Sequence, residues 1–374
     1  MSPLVSIVIP VRNEAGYIGR CVESIYAQDF AGREFEVLIV DGMSDDGTTA
    51  ILKALKVKYN NLNILYNSNK TVSHGVNIGI RHSVGDIIFR IDAHAEYSPN
   101  YIRTCLDVLK RTGAANVGGP SIPLPSTNTV MARAIYLIHH NPFGIGLGHF
   151  KYPTTEYYTD AVWPGCFRHD ALVKAGLFDE RLPRTEDIEL NARIRKCGYK
   201  VFVSPQIKAW YYCRTKLRNL WRQRWGDGVG IARTLIINPS CLHMRQFVPL
   251  LFVSSVLVLA ILSLSTIEYN QLGMLFDFGF WIFGLAALRL LMLVFLIYLI
   301  AAFFFSIYST KLDVSHIPVP TSLSEKERRL KPSLLSIILM PVVFITLHVS
   351  YGLGTLWGLL SLLIWYNVNR NKRT

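Results

Sequence analysis

Four acidic turns punctuate the chain: at Glu14, at Asp41, at Asp92 with His94, and at Glu186 with Asp187. The Asp41 turn, Val40-Asp41-Gly42-Met43-Ser44-Asp45-Asp46-Gly47-Thr48, directly follows the apolar run Phe35–Val40, which reads as a buried parallel strand. A carboxylate at the carboxyl end of such a strand sits where open α/β sheets bind ligands. Gly42 and Gly47 allow a tight turn, and Ser44 or Asp45 can cap a helix starting near Thr48. Asp92-Ala93-His94 follows a further apolar run ending at Ile91. In an extended turn an i, i+2 pair can aim a carboxylate and an imidazole at one divalent cation, a donor set that suits magnesium or manganese with a phosphate in the remaining positions. Standing alone, such a pair is more commonly a solvated strand end. Glu186-Asp187 opens a helix, with Thr185 as a natural N-cap and Ile188, Leu190 and Ile194 as its apolar stripe. Acidic residues in a first turn favour the helix dipole by a few tenths to about 1 kcal/mol, which explains one carboxylate but not the recurrence.

The elements that must carry these turns alternate. Leu4–Pro10 is a strand, and Asn13 can cap a helix whose buried face is Ile18, Val22 and Ile25. Then come the strand Phe35–Val40, a helix through Ile51, Leu52 and Leu55, the strand Leu62–Tyr66, a helix His74–Ser83 and a strand Asp86–Ile91. This βαβαβ order calls for a parallel sheet with right-handed crossovers, and it brings Glu14, Asp41 and Asp92 to one edge of that sheet. Beyond it the pattern gives a helix Tyr101–Arg111 and one strand Asn116–Ile122. The stretch from Pro123 to Tyr158, rich in Pro and Gly (Gly144, Gly146, Gly148), reads as a mobile lid rather than a dinucleotide cradle. A strand Ala161–Arg168, helices Asp170–Gly176 and Thr185–Cys197 and a last strand Lys200–Ser204 follow.

The chain has 374 residues, 51% of them apolar, and a formal net charge of +13. Its mean hydropathy of +0.28 is high for a soluble enzyme, and nearly all the excess lies after residue 246. Phe247–Ile267 and Phe278–Tyr308 have the length of membrane spans. Leu334–Trp365 is broken in its middle by His348, Tyr351, Gly352 and Gly354, and is expected to enter the membrane and turn back, or to be half-span and half-interfacial. That keeps both Lys326–Lys331 and the tail Arg370, Lys372 and Arg373 on the cytoplasmic side. Basic clusters beside apolar spans point to an anionic membrane face and not to nucleic acid. Trp221-Arg222-Gln223-Arg224-Trp225-Gly226 reads as an interfacial helix near residues 214–235, whose arginines can also grip a diphosphate. Six cysteines without a CxxC speak against a disulfide or zinc framework. The first residues lack a basic n-region and cleavage site and are expected to begin the fold.

The ordered set Pro10-Val-Arg12-Asn13-Glu14, Asp41 to Thr48, Asn77-Ile-Gly79, Asp92-Ala-His94, Glu186-Asp187 and Arg222-Gln-Arg224-Trp225 resembles the family 2 glycosyltransferases of the GT-A fold. Asp160-Ala-Val-Trp-Pro-Gly165-Cys-Phe-Arg168 and Gly176-Leu-Phe-Asp179-Glu180 resemble the succinoglycan-type exopolysaccharide enzymes within it. The resemblance covers residues 4 to about 235 and, more loosely, the spans. It implies an α/β GT-A catalytic domain (residues 1–235) followed by a transmembrane region (247–365), and inverting transfer from a nucleoside diphosphate sugar with a divalent cation, Mg2+ or Mn2+. Asp41 would hold the nucleobase with Pro10, Arg12 and Glu14, and Asn77 would belong to the donor site. Asp92 and His94 would sit at the diphosphate and metal, in place of the commoner DxD. Asp187 would be the general base and Glu186 its neighbour, while Arg222, Arg224 and Trp225 would meet the acceptor or its diphosphate. The expected acceptor is a lipid-linked (polyprenyl diphosphate) saccharide, met at the cytoplasmic face of the cell membrane by a multi-pass enzyme making extracellular polysaccharide, for which polysaccharide assembly partners are expected. A processive polysaccharide synthase is the alternative enzyme, disfavoured by too few spans for a channel; a catalytically silent membrane scaffold is the non-enzymatic one. A transporter is disfavoured because Arg289 has no acidic partner nearer than Asp277.

Overall fold

The computed structural model describes residues 4–125, 127–145, 155–271, 278–311, 332–362 and 364–365, with backbone alone over 265–271 and 278–282. These fall into an α/β unit, residues 4–124 and 155–213, and a helical unit, residues 125–145, 214–311 and those from 332 onward.

The α/β unit holds eleven strands. They are β1 (Val5–Val11), β2 (Phe35–Asp41), β3 (Leu62–Tyr66), β4 (Ile87–Arg90), β5 (Ala95–Tyr97), β6 (Asn116–Gly119), β7 (Ser121–Pro125), β8 (Tyr157–Tyr158), β9 (Trp163–Arg168), β10 (Val201–Val203) and β11 (Ala209–Cys213). Its helices are α1 (Ile18–Tyr26), α2 (Thr48–Lys58), α3 (Val72–His82), α4 (Tyr101–Thr112), α6 (His169–Ala175) and α7 (Glu186–Lys196), with α5 (Val130–His140) belonging to the helical unit. The main sheet runs β3-β2-β1-β4-β9-β6-β10-β8. β1 to β4 are mutually parallel where they pair, whereas β9 is antiparallel to both β4 and β6.

The apolar runs of β1 and β2 are explained by burial on both faces. Val5, Ile7, Ile9 and Val11 alternate onto the face that packs α1 and α4, through Ile18, Val22, Ile25, Ile102 and Leu106. Val8, Leu38 and Ile88 face the other way, onto Val76 and Ile80 of α3 and Leu190 and Ile194 of α7. Gly79 permits that contact, because a Cβ there would lie 2.4 Å from Val8 Cγ1.

Several local expectations need correction. Asn116–Ile122 is not one strand: it divides at Pro120 into β6 of the main sheet and β7 of a second sheet, β5-β11-β7. Asn13 and Thr185 are not side-chain caps. α1 begins at Ile18 behind Tyr17, and Thr185 precedes α7 with φ +66° and no capping bond from its side chain. Neither Ser44 nor Asp45 caps α2; Asp46 Oδ1 accepts from Thr48 N at 3.0 Å instead.

The helical unit contains α5 (Val130–His140), α8 (Leu217–Ile237), α9 (Val248–Gln271), α10 (Phe278–Tyr308) and α11 (Leu334–Leu360). α5 lies inside the stretch expected to be a lid, and it starts with a real cap, Thr129 Oγ1 accepting from Ala132 N. Gly146 and Gly148 lie outside the described residues. Among the described residues, three helical segments, Met244–Leu264, Phe283–Lys311 and Leu334–Leu360, are long and apolar enough to cross a membrane. α11 runs unbroken through Gly352 and Gly354, in contrast to the expected turn back. Its glycines are there for close approach: a Cβ on Gly354 would lie 2.3 Å from Trp225 O of α8, and one on Gly358 2.6 Å from Ala232 Cβ. Such small-residue stripes let helices pack backbone to backbone. Lys326–Lys331, Asp277 and the tail Arg370–Arg373 lie outside the described residues.

Candidate active site

The carboxyl ends of β1, β2 and β4 meet at one edge, with Val11 opposite Asp41 and Val8 opposite Arg90. The loops after β1 and β2 are bonded to each other. Asn13 donates from its side-chain amide to Asp45 Oδ1 (2.8 Å), Glu14 N donates to Thr48 Oγ1 (2.9 Å), and Ala15 N donates to Asp46 Oδ2 (3.1 Å). Asp41 is buried at the base of this pair of turns, Oδ1 accepting from Ser44 N and Oγ and Oδ2 from Thr49 Oγ1 at 3.0 Å. Pro10 is half-buried beside it, and Arg12 is exposed on the rim.

Asp92 follows β4. Because β9 runs antiparallel to β4 with Phe89 opposite Cys166, the start of β9 comes level with Asp92, and Trp163 Nε1 donates to Asp92 Oδ2 at 2.7 Å. Arg90 Nη2 lies 3.5 Å from the other oxygen. Burial would raise the Asp92 pKa, but Arg90, His94 and the Trp163 bond outweigh it and hold the carboxyl below its usual range. His94 Nδ1 lies 3.2 Å from Glu14 Oε1, so a proton on Nδ1 leaves Nε2 with its lone pair free to ligate.

Across the sheet edge, α7 opens with a buried Glu186 and a half-buried Asp187. Glu186 Oε1 accepts from Arg90 Nη2 at 3.1 Å. Burial drives the Glu186 pKa up to about 7, against the pull of Arg90 and helped by the neighbouring Asp187. Asn77 is buried; its amide donates to Phe178 O and Glu180 Oε1 (both 2.9 Å) and accepts from Phe178 N, fixing the loop ahead of α7.

The structure thus brings Glu14, Asp41, Asp92, His94, Glu186 and Asp187 together in the α/β unit, with Pro10 and Arg12 beside Asp41. Arg222, Arg224 and Trp225 lie on α8 of the helical unit. Arg222 is exposed; Arg224 pairs with Asp227 at 3.0 Å and lies 5.0 Å from the Tyr351 ring centre. Sequence reasoning missed Arg90 and Trp163 as site residues. Trp163 lies within the Asp160–Arg168 motif, but only the β4–β9 register ties it to Asp92.

No cluster of three or more His, Cys, Asp or Glu side chains that could hold a metal occurs among the described residues. An ionised carboxylate at Asp92 and an imidazole backed by a carboxylate at His94 nevertheless fit a cation that takes its remaining ligands from a diphosphate.

Residues 6–180 match the family model described as Glycosyl transferase family 2. A dolichyl N-acetyl-α-D-glucosaminyl phosphate 3-β-D-2,3-diacetamido-2,3-dideoxy-β-D-glucuronosyltransferase of Methanococcus voltae is 27% identical over 273 residues, 71% of this chain and 84% of that protein. A succinoglycan biosynthesis protein of Rhizobium meliloti is 27% identical over 247 residues, 65% of this chain and 74% of that one. Residues 6–180 therefore belong with the family 2 glycosyltransferases, and the protein is a glycosyltransferase.

Proposed function

We propose that the protein is a membrane-bound inverting glycosyltransferase that moves a sugar from a nucleoside diphosphate sugar to a lipid-linked saccharide at the cytoplasmic face of the cell membrane, in extracellular polysaccharide biosynthesis. The observation that carries the reading is that Asp92, just after β4, and Glu186, which opens α7 beside Asp187, both lie within reach of Arg90 Nη2. Three helices of spanning length, the dolichyl-linked substrate named for the Methanococcus relative and the succinoglycan role named for the Rhizobium relative support the lipid-linked acceptor.

In this reading Asp41 and Arg12 hold the nucleoside, with Pro10 forming the wall and Glu14 orienting His94. Asp92 and His94 Nε2 would hold a divalent cation, Mg2+ or Mn2+, which neutralises charge developing on the leaving diphosphate. The acceptor hydroxyl oxygen bonds to the anomeric carbon as the bond from that carbon to the phosphate oxygen breaks, and the nucleoside diphosphate leaves with the electron pair. The hydroxyl proton passes to the Asp187 carboxylate, which is less buried than Glu186 and is not tied to Arg90. Attack from the far face inverts the anomeric centre.

The test is transfer by the detergent-purified protein, offered a panel of nucleotide sugars and polyprenyl diphosphate saccharides. Addition of one sugar is the expected product. A long polymer would establish the processive synthase instead. Neither transfer nor donor hydrolysis with any pair would leave the scaffold.

A further inference from the structure

Arg90 is the last residue of β4, and its guanidinium is buried beneath the site. The same nitrogen, Nη2, lies 3.1 Å from Glu186 Oε1 and 3.5 Å from Asp92 Oδ1. The guanidinium carbon is 5.6 Å from the centre of the Phe178 ring, and Nε has no hydrogen-bond partner among the described residues. A buried cation with an unfilled donor is a poor device for stability alone, since apolar side chains of similar volume often replace buried ion pairs at no cost. Arg184 also acts on both carboxylates, but its side chain is exposed, where water screens it.

We propose that Arg90 is a positioning residue, a strut that fixes Glu186, and with it the first turn of α7, against the Asp92 end of β4. One point charge between the two carboxylates sets the separation between the donor side of the site and the helix turn that carries Asp187. Without it, Glu186 loses the hydrogen bond that holds it toward the end of β4, and the turn moves away. A shift of about 1 Å in a catalytic group is enough to cost on the order of a hundredfold in rate. The inference rests on Asp187 as proton acceptor and Asp92 as the donor-side carboxylate.

The experiment uses the full chain in detergent and the variants Arg90→Met, Arg90→Lys, Glu186→Gln and the Arg90→Met, Glu186→Gln double variant. Arg90→Met should lower kcat by about thirtyfold or more while donor KM moves less than about threefold. The Mn2+ concentration for half-maximal activity should stay the same or fall, because a cation beside Asp92 has gone. Arg90→Lys should recover part of kcat, since a single nitrogen makes both contacts. The double variant should be no slower than the slower single one, because the strut has then lost both of its ends. Additive losses, wild-type kcat in a folded Arg90→Met protein, no recovery by Lys, or a rise in the Mn2+ requirement in step with the fall in kcat would each overturn the strut. If Arg90→Met does not accumulate, the Arg90→Lys and Glu186→Gln cycle decides on the same additivity criterion. Wild-type protein that transfers no sugar, or Asp187→Asn with full activity, would instead overturn the underlying functional reading; an active wild type with additive Arg90 effects removes Arg90 alone.

Discussion

Two adjacent carboxylates on α7 have been given different environments, and their behaviour should differ accordingly. Asp187→Asn should preserve folding and donor binding while lowering turnover by about a hundredfold or more, the usual size of a general-base contribution. Near-normal transfer by this variant would remove Asp187 from that role. Glu186 is marked by its proton. Burial lifts its pKa from the ordinary 4.5 to about 7, so the folded protein holds that proton more tightly than the unfolded chain. The stability it contributes is whole below the unfolded pKa and is lost as pH rises through about 7. Glu186→Gln exchanges no proton, so its Tm should gain on the wild type between about pH 5 and about pH 7.5 and run parallel above. A constant difference would show that burial does not perturb Glu186. On the donor side, His94→Ala should raise the divalent-cation concentration for half-maximal activity, and Asp92→Ala should raise it further. Glu14→Gln should act in the same direction through its 3.2 Å contact with His94, within the roughly tenfold to hundredfold range of residues that orient metal ligands. Activity indifferent to a chelator would defeat all three.

At the scale of elements, β1, β2 and β4 with their terminal carboxylates were legible because both faces of each strand are buried, which writes an uninterrupted apolar run into the sequence. α9 and α10 were legible from their apolar length alone. The small sheet was not: β5 has three residues and β11 and β7 five each, too short to show a period. Arg90 and Trp163 were hidden because their importance comes from the antiparallel pairing of β4 and β9 and from the docking of α7, neither of which leaves a local signal. Thr185 misled because its residue type suits a cap while its left-handed backbone puts the side chain elsewhere. The glycines of α11 misled most. By residue type they suit breaks in a helix, whereas in the structure they are contact points between helices, a reading open to direct test. Gly354→Leu must displace Trp225 O, only 2.3 Å from the position of a Cβ, and should destabilise the protein by about 1–3 kcal/mol or more through overpacking. Trp357, 56% exposed on the same helix, is the control, and Trp357→Leu should leave Tm nearly unchanged. Equal shifts in the two variants would speak against close packing at Gly354.

At the scale of the whole molecule, the chain divides into a unit that carries the glycosyltransferase match and a unit built of long apolar helices. The acceptor prediction belongs to this scale. A basic, aromatic α8 can grip an acceptor diphosphate, while Asp41 and Asp92, the proposed donor residues, belong to the other unit. The two arginines should not behave alike. Arg224 is engaged by Asp227 and lies against Tyr351 of α11, so Arg224→Ala should lower Tm as well as activity. Arg222 is exposed, and Arg222→Ala should raise acceptor KM by roughly tenfold, about the loss of one charge-assisted contact, with donor KM and Tm unchanged. Titrating donor and acceptor separately in detergent removes any contribution from docking on a bilayer. Normal acceptor affinity in Arg222→Ala under those conditions would make α8 an anchor on the membrane and move acceptor recognition to other residues.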